Sequence, residues 1–262
     1  MNYQLIQYSV TDAVARLTLN RPERLNSFNG EMHAEVREAI GRVAGDGARV
    51  LVLTGAGRGF CAGQDLSERQ VAPEGGRADL GASIERNYKP LALSLQRLPL
   101  PTVAAVNGVA AGAGASIALA CDIVIAARSA SFIQAFGKLG LVPDSGATWF
   151  LPRLVGNARA LGLAMLGERL PAADAAAWGL IWRCVDDESF AAAVDRLAAE
   201  LAAAPTRGLL RTREAILGSW GRTLAEQLDV ERDFQRELGF TEDYAEGVAA
   251  FAEKRAPRFV GL

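Results

Sequence analysis

The chain has 262 residues and is half apolar, enough to bury a large core in one main domain followed by a helical tail. Its 28 basic and 30 acidic side chains are dispersed and nearly cancel, to a net charge of −2. That balance leaves no field to concentrate nucleic acid or an anionic membrane, and it suits a small neutral or modestly anionic ligand.

The N-terminal "MNYQLIQYSV" lacks a basic stretch followed by an apolar run, and no segment reaches the roughly 18 apolar residues of a spanning helix, so the sequence reads as cytoplasmic. "YQLIQYSV" and "AVARLTL" predict two strands, and "NRPERLNSFN" is rich in turn formers. A helix follows over residues 30 to 44, where Met32, Val36, Ile40 and Val43 recur at helical spacing behind an Asn29 cap. His33, the single histidine, flanks this stripe without belonging to it and is expected at the surface or boundary. "ARVLVLTGAGRGFCAGQDL" reads as buried strand, glycine loop and helix start, and "GASIERNYKPLALSLQRL" as a helix closed by Pro99 and Pro101. "TVAAVNGVAAGAGASIALACDIVIAA" repeats strand, glycine loop and helix, then adds a strand. Beyond residue 150 helices dominate; Phe190, Val194, Leu197 and Leu201 share one face of a helix that Pro205 ends. Two charged helical segments, "LAEQLDVERDFQREL" and "DYAEGVAAFAEKRAPRF", complete an α/β core over residues 1–200 and a helical region over 201–262.

Cys61, Cys121 and Cys184 show no metal or disulfide spacing and are expected as small core residues. With the one histidine assigned to a helix flank, a catalytic proton has to travel on a carboxylate. Neither glycine loop fits a nucleotide fingerprint: Phe60 replaces the third glycine of "TGAGRGFCAG", "GVAAGAGASI" also lacks one, and neither ends in Gly-Lys-Ser/Thr. Both share a strand followed by small residues that let backbone N–H groups point outward where a helix begins. Two such loops suit a two-donor oxyanion hole, or simply allow tight turns and close packing.

In order along the chain, "NRPERLNSF", "GAGRGFCAGQDL", "AAVNGVAAGAGASIAL", "CDIVIAARSASF" and "KLGLVPDSGATWFLPRLVG" resemble the enoyl-CoA hydratase/isomerase (crotonase) superfamily. The resemblance implies a crotonase-like spiral of ββα units with a C-terminal α-helical trimerisation region, assembled as a homotrimer or dimer of trimers. It implies a coenzyme A thioester as substrate, its carbonyl oxygen held by the backbone N–H groups of Ala62 and Ala113. Where hydratases of the family carry two glutamates, this sequence has Ser116 and Phe136. Asp144 falls where several isomerases and a dehalogenase of the superfamily place a catalytic aspartate; the competing reading is a helix N-cap accepting the N–H of Ala147 or a neighbour.

A carboxylate desolvated in an apolar pocket exchanges protons near neutrality. Beside a polarised thioester it can move one along a conjugated system through an enolate, with no metal and no cofactor beyond the coenzyme A of the substrate. Stretches outside the generic motifs, among them "DLGASIERNYKPL", "WGLIW" and "QLDVERDFQR", resemble isomerases of the family that act on ring-bearing thioesters. Phe136, Ile84 and Tyr88 are then candidates to line the acyl pocket. The resemblance puts Ala62, Gly63, Gln64, Asp65 and Leu66 near the adenine, and Arg24 with the Phe251–Lys254 segment, from a neighbouring subunit, near the nucleotide. Arg207, Arg211 and Arg213 read as a solvated helix face. The alternatives are a double-bond (Δ3,Δ2-enoyl-CoA) isomerase or another acyl-CoA enzyme of the superfamily, and a non-catalytic scaffold or RNA-binding member.

Overall fold

The computed structural model describes residues 3–69 and 79–261. Strands β1 (Ile6–Thr11) and β2 (Val14–Leu19) pair antiparallel about Asp12 and Ala13, whose φ angles of 51° and 59° give the two-residue turn that matches strand twist. Helix α1 (Gly30–Arg42) follows, and the Asn29 side chain caps it by accepting the Met32 N–H at 2.8 Å.

The chain then winds as a spiral. Strands β3 (Val50–Gly55), β5 (Thr102–Val106) and β7 (Ile123–Ala127) enter one sheet; β4 (Gly59–Cys61), β6 (Val109–Ala111) and β8 (Ser131–Ile133), each following its predecessor after a short turn, enter a second. Helices α2 (Leu80–Ser83) and α3 (Lys89–Arg97) lie between β4 and β5, α4 (Ala113–Leu119) between β6 and β7, and α5 (Ala147–Leu166) after β8. Each ββα unit therefore advances both sheets by one strand. With β9 (Arg169–Pro171), α6 (Ala172–Ala177) and β10 (Arg183–Val185) added, the sheets run β1-β2-β3-β5-β7-β10 and β4-β6-β8-β9. The expected spiral of ββα units is thus present.

Alternation along the strands sets the layers. Val14, Val50, Val52, Val103, Ala105 and Ile125 pack against Ala193, Val194, Leu197, Ala198 and Ala202 of α7 (Asp187–Ala203). Their strand neighbours Leu17, Leu51, Leu53, Ala104 and Val106 face the main core. Beyond Pro205, α8 (Thr206–Gly218), α9 (Leu224–Leu238) and α10 (Glu242–Glu253) are tied back to the core by arginines. Arg49 donates to the carbonyls of Ala204 and Phe259 and to the Thr206 hydroxyl. Arg213 donates to the Leu98 carbonyl at 2.6 Å and to Asp122 at 3.2 Å, both its side chain and the carboxylate being largely covered. That corrects the solvated reading of Arg213, whereas Arg207 and Arg211 do lie in partly exposed pairs with Glu237. Among the described residues no helix is long and apolar enough to cross a membrane.

Two further expectations change. His33 is buried, its ring 4.6 Å from that of Phe28 and 4.5 Å from that of Tyr88, because the side of α1 flanking the aliphatic stripe is covered by an aromatic cluster. Cys61 and Cys121 are core residues, but Cys184, on the edge strand β10, is only half-buried.

Candidate active site

The two glycine loops meet. A Cβ on Gly63 would stand 2.9 Å from the Ala111 carbonyl oxygen and 3.2 Å from the Ala113 nitrogen, and one on Gly114 would overlap the Cys61 carbonyl. Only glycine lets the segment after β4 lie this close to the first turn of α4. Gly63 also holds φ of +90°, which L side chains rarely adopt. The Ala113 N–H, at the first position of α4, is among those the helix leaves without an internal acceptor.

The other expected donor is corrected. The Ala62 N–H donates to the Leu25 carbonyl at 2.9 Å, on the side away from β6. Phe28 pairs with Gln64 in a parallel bridge: Phe28 donates to the Gly63 carbonyl at 2.7 Å and accepts the Asp65 N–H at 2.8 Å. In that pattern Gln64's own N–H points away from Phe28, toward the flank where Gly63 meets Ala113. In a regular strand, amides two residues apart point the same way; the positive φ of Gly63 reverses the ribbon between Ala62 and Gln64. The amide aimed at Ala113's neighbourhood is therefore that of Gln64.

Side chains fix this loop from below. The Tyr88 hydroxyl donates to Gln64 Oε1 at 2.8 Å. Asp65 is buried and pairs with Arg21 at 2.9 Å, while the Ser67 hydroxyl and N–H donate to it at 2.7 and 3.0 Å. The Ser67 hydroxyl, more than its N–H or the Arg21 guanidinium, holds the Asp65 carboxyl down at about 2 against the opposing effect of burial. Burial pushes the neighbouring Cys61 thiol up to about 12, which leaves it unreactive near neutrality.

Asp144 opens a tight turn rather than capping a helix. Ser145 and Gly146 both have positive φ (55° and 92°), and the Ala147 N–H donates to the backbone carbonyl of Asp144 at 3.0 Å. Gly146 occupies the cap position of α5 without a side-chain cap bond, which sets aside the N-cap reading. The half-buried carboxylate instead accepts the Ser145 hydroxyl at 2.8 Å. A non-glycine residue in this conformation costs about 1–3 kcal/mol and is sustained where the surroundings fix it, often at functional sites. Asp144 follows the turn that carries Phe136, whose ring edge lies 3.8 Å from where a Cβ on Gly112 would be, and it precedes α5, which packs on α4. Asp144 thus lies in the segment that joins Phe136 to α5. Ser116 is fully buried and donates to the Gly112 carbonyl at 3.2 Å, within its own helix.

The remaining candidates divide. Phe136 borders the α4 loop, and Ile84 is half-buried on the helix carrying Tyr88. Tyr88 is 1% exposed, so it supports the Gln64 loop from within the core and does not form a pocket wall. Arg24 and Leu66 are exposed beside the Ala62–Asp65 loop, whereas Phe251 and Lys254 lie exposed on and just after α10. Sequence reading named Gln64 and Tyr88 for adenine and acyl contacts and not for the bond between them, and it did not single out Arg21, which pairs with Asp65. The sequence signal for Gln64 was a glycine inside an extended segment, which marks a place where amide alternation can reverse.

The spiral and the meeting of its two glycine loops define a class. Residues 9–261 match the family described as Enoyl-CoA hydratase/isomerase, and this chain belongs to that family. Within it, the 1,2-epoxyphenylacetyl-CoA isomerase of Escherichia coli (strain K12) is 57% identical over 259 residues, covering 98% of this chain and 99% of the relative. The trans-2-decenoyl-[acyl-carrier-protein] isomerase of Streptococcus mutans is 36% identical, with 100% of both chains covered. The crystal structure of a putative enoyl-CoA hydratase/isomerase from Mycobacterium abscessus superposes with a TM-score of 0.93 at 36% identity, covering 98% of this chain and 100% of that one.

Proposed function

We propose that this enzyme is an isomerase of coenzyme A thioesters that converts ring-1,2-epoxyphenylacetyl-CoA to oxepin-CoA, with Asp144 as the acid/base. The observation that carries the reading is end-to-end 57% identity to an isomerase named for that substrate, together with Ser116 and Phe136 where the family resemblance puts the glutamates of hydratases. The Gln64 and Ala113 N–H groups bind the thioester oxygen, and charge developing there acidifies the methylene between carbonyl and ring. Asp144 removes a methylene proton and returns it to the ring as the carbon–carbon bond beneath the epoxide opens to the seven-membered oxepin. No atom is gained or lost, so the reaction needs no water and no group beyond the thioester. Phe136 and Ile84 flank the ring, and Arg24 and Lys254 meet the phosphates of the coenzyme.

A double-bond shift is the second reading, since the same proton transfer serves a linear acyl chain and the Streptococcus relative is an isomerase. Self-assembly into trimers or dimers of trimers is part of the proposal, supported by the exposed Leu161, Met165, Leu166, Leu224, Phe240 and Phe251. A cytoplasmic location belongs to the same proposal. The test assays wild type and Asp144→Asn on the epoxide thioester and on a 3-enoyl-CoA. Turnover of the epoxide, with a loss of about 10² or more in the variant while binding persists, supports the reading. Turnover of the linear substrate alone moves it to double-bond isomerisation, and an unimpaired variant removes Asp144 from the mechanism.

A further inference from the structure

The Gln64 loop is held from two sides by one buried aromatic block. Phe28 grips the backbone through its parallel bridge, and Tyr88 reaches the side chain, its hydroxyl 2.8 Å from Gln64 Oε1. Behind them His33 fills the block: its ring is perpendicular to Tyr88 at 4.5 Å and tilted on Phe28 at 4.6 Å, while Phe28 and Tyr88 stand 6.3 Å apart. Phe28 and His33 come from one segment of the chain and Tyr88 from another, and Phe28 and Tyr88 are each 1% exposed.

Tyr88 reaches Gln64 through an irregularity in its helix. Between α2 and α3, Ile84–Tyr88 forms a π-turn in which the Lys89 N–H donates to the Ile84 carbonyl. The extra residue in that turn separates Ile84 from the inward line of Tyr88, Leu91 and Leu95, which are buried while Ile84 is not. Single π-turns weaken a helix and recur where one side chain has to be aimed. Here the aimed group is a hydroxyl in the core, and its acceptor is the residue whose backbone amide faces Ala113.

We propose that Tyr88 is a positioning residue for the oxyanion hole, its hydroxyl fixing the Gln64 side chain and thereby the orientation of the Gln64 backbone N–H. The proposal rests on the oxyanion role given above to the Gln64 and Ala113 amides. Along one residue, side-chain and backbone directions are coupled through a few torsions, so an anchored amide side chain limits rotation of the peptide that carries the donor. The Phe28 N–H already holds this peptide through the Gly63 carbonyl at 2.7 Å, and the Tyr88 bond adds a second restraint beside a glycine whose backbone is the most permissive of the loop. Tyr88 has no part in proton transfer and does not touch the acyl group. It also gives the buried ring a function beyond filling space, which phenylalanine would do equally well.

The test is a cycle of Tyr88→Phe, Gln64→Met and the double variant, read by steady-state kinetics, thermal unfolding and the infrared carbonyl stretch of bound phenylacetyl-CoA. Polarisation by the two amides lowers that stretch in wild type. Tyr88→Phe is expected to reduce the lowering and to cut kcat about ten-fold with KM within about two-fold, a fraction of the 10²–10³ lost when a donor is removed outright. Gln64→Met is expected to do the same, and the double variant no more than either alone, since both break one linkage. Phenylalanine with wild-type kcat and an unchanged carbonyl shift, whatever its melting temperature, overturns the proposal. So do additive effects in the double variant, or a loss confined to KM, which would put the hydroxyl on the substrate. A wild-type enzyme that leaves the carbonyl stretch unmoved would instead overturn the underlying oxyanion reading, so the two failures are separable.

Discussion

Adding one methyl group at Gly63 tests the meeting of the two loops. An alanine at φ of +90° carries strain of about 1–2 kcal/mol. Its Cβ also falls 2.9 Å from the Ala111 oxygen and 3.2 Å from the Ala113 nitrogen, both backbone atoms that cannot swing aside. Relieving the closer contact requires the loops to part by about half an ångström, and overpacking of this kind costs about 1–3 kcal/mol more. Gly63→Ala is therefore expected to lose about 2–5 kcal/mol, and its melting temperature to fall by about 2–4 °C per kcal/mol. Gly47→Ala is the matched control: φ is +80° but nothing lies within 4 Å of the added Cβ, so only the strain remains. Since a 1 Å error in a catalytic group can reduce the rate by about 10², Gly63→Ala is expected to retain about a tenth of wild-type kcat, and Gly47→Ala all of it. Differential scanning calorimetry and turnover of the thioester decide the matter. If the two variants match in both stability and kcat, the loops do not set the donor spacing and the site is misplaced.

Asp65→Asn removes a carboxylate whose pKa is depressed to about 2, chiefly by the Ser67 hydroxyl. A depressed folded-state pKa stabilises above the unfolded value of about 3.9 and is lost on acidification, so the melting-temperature gap between wild type and variant should close from pH 5 to pH 2, as a calorimetric series would show. Arg213→Met leaves the mostly covered Asp122 without its cation, and urea unfolding should show a loss of about 2–4 kcal/mol, more than for loss of the exposed Arg232 pairs. Iodoacetamide on the native protein at pH 8 should label Cys184 well before Cys61 or Cys121, which are buried and whose thiols burial pushes upward; mass spectrometry of peptides reads the order.

Much of the fold was written in local pattern. Asn29 caps α1, the α7 stripe of Val194 and Leu197 packs on the sheet, and the repeated strand–glycine–helix runs become ββα units. What periodicity could not convey was the covering of a side chain by an element distant in sequence. His33 is buried because Phe28 and Tyr88 close over it, and Arg213 because Leu98 and Asp122 receive it. Neither partner set has a fixed spacing from the residue it covers.

The site shows the same limit at the scale of one peptide. The motif located the loop between Phe60 and Leu66 but not which of its N–H groups faces the second loop. That is decided by hydrogen bonds: Leu25 takes the Ala62 N–H, and the Phe28 bridge turns that of Gln64 to the opposite side. Asp144 follows the same logic, because "PDSG" before a helix is compatible with both a cap and a turn. The positive φ values of Ser145 and Gly146 choose the turn, giving the helix-start bond to the backbone carbonyl and leaving the carboxylate to the Ser145 hydroxyl. A capping aspartate is committed to its helix, whereas one lifted out of the first turn by two left-handed residues is not. The strain stored at Ser145 is in keeping with the acid/base role proposed for Asp144, because an ordinary cap at that position would leave it unexplained.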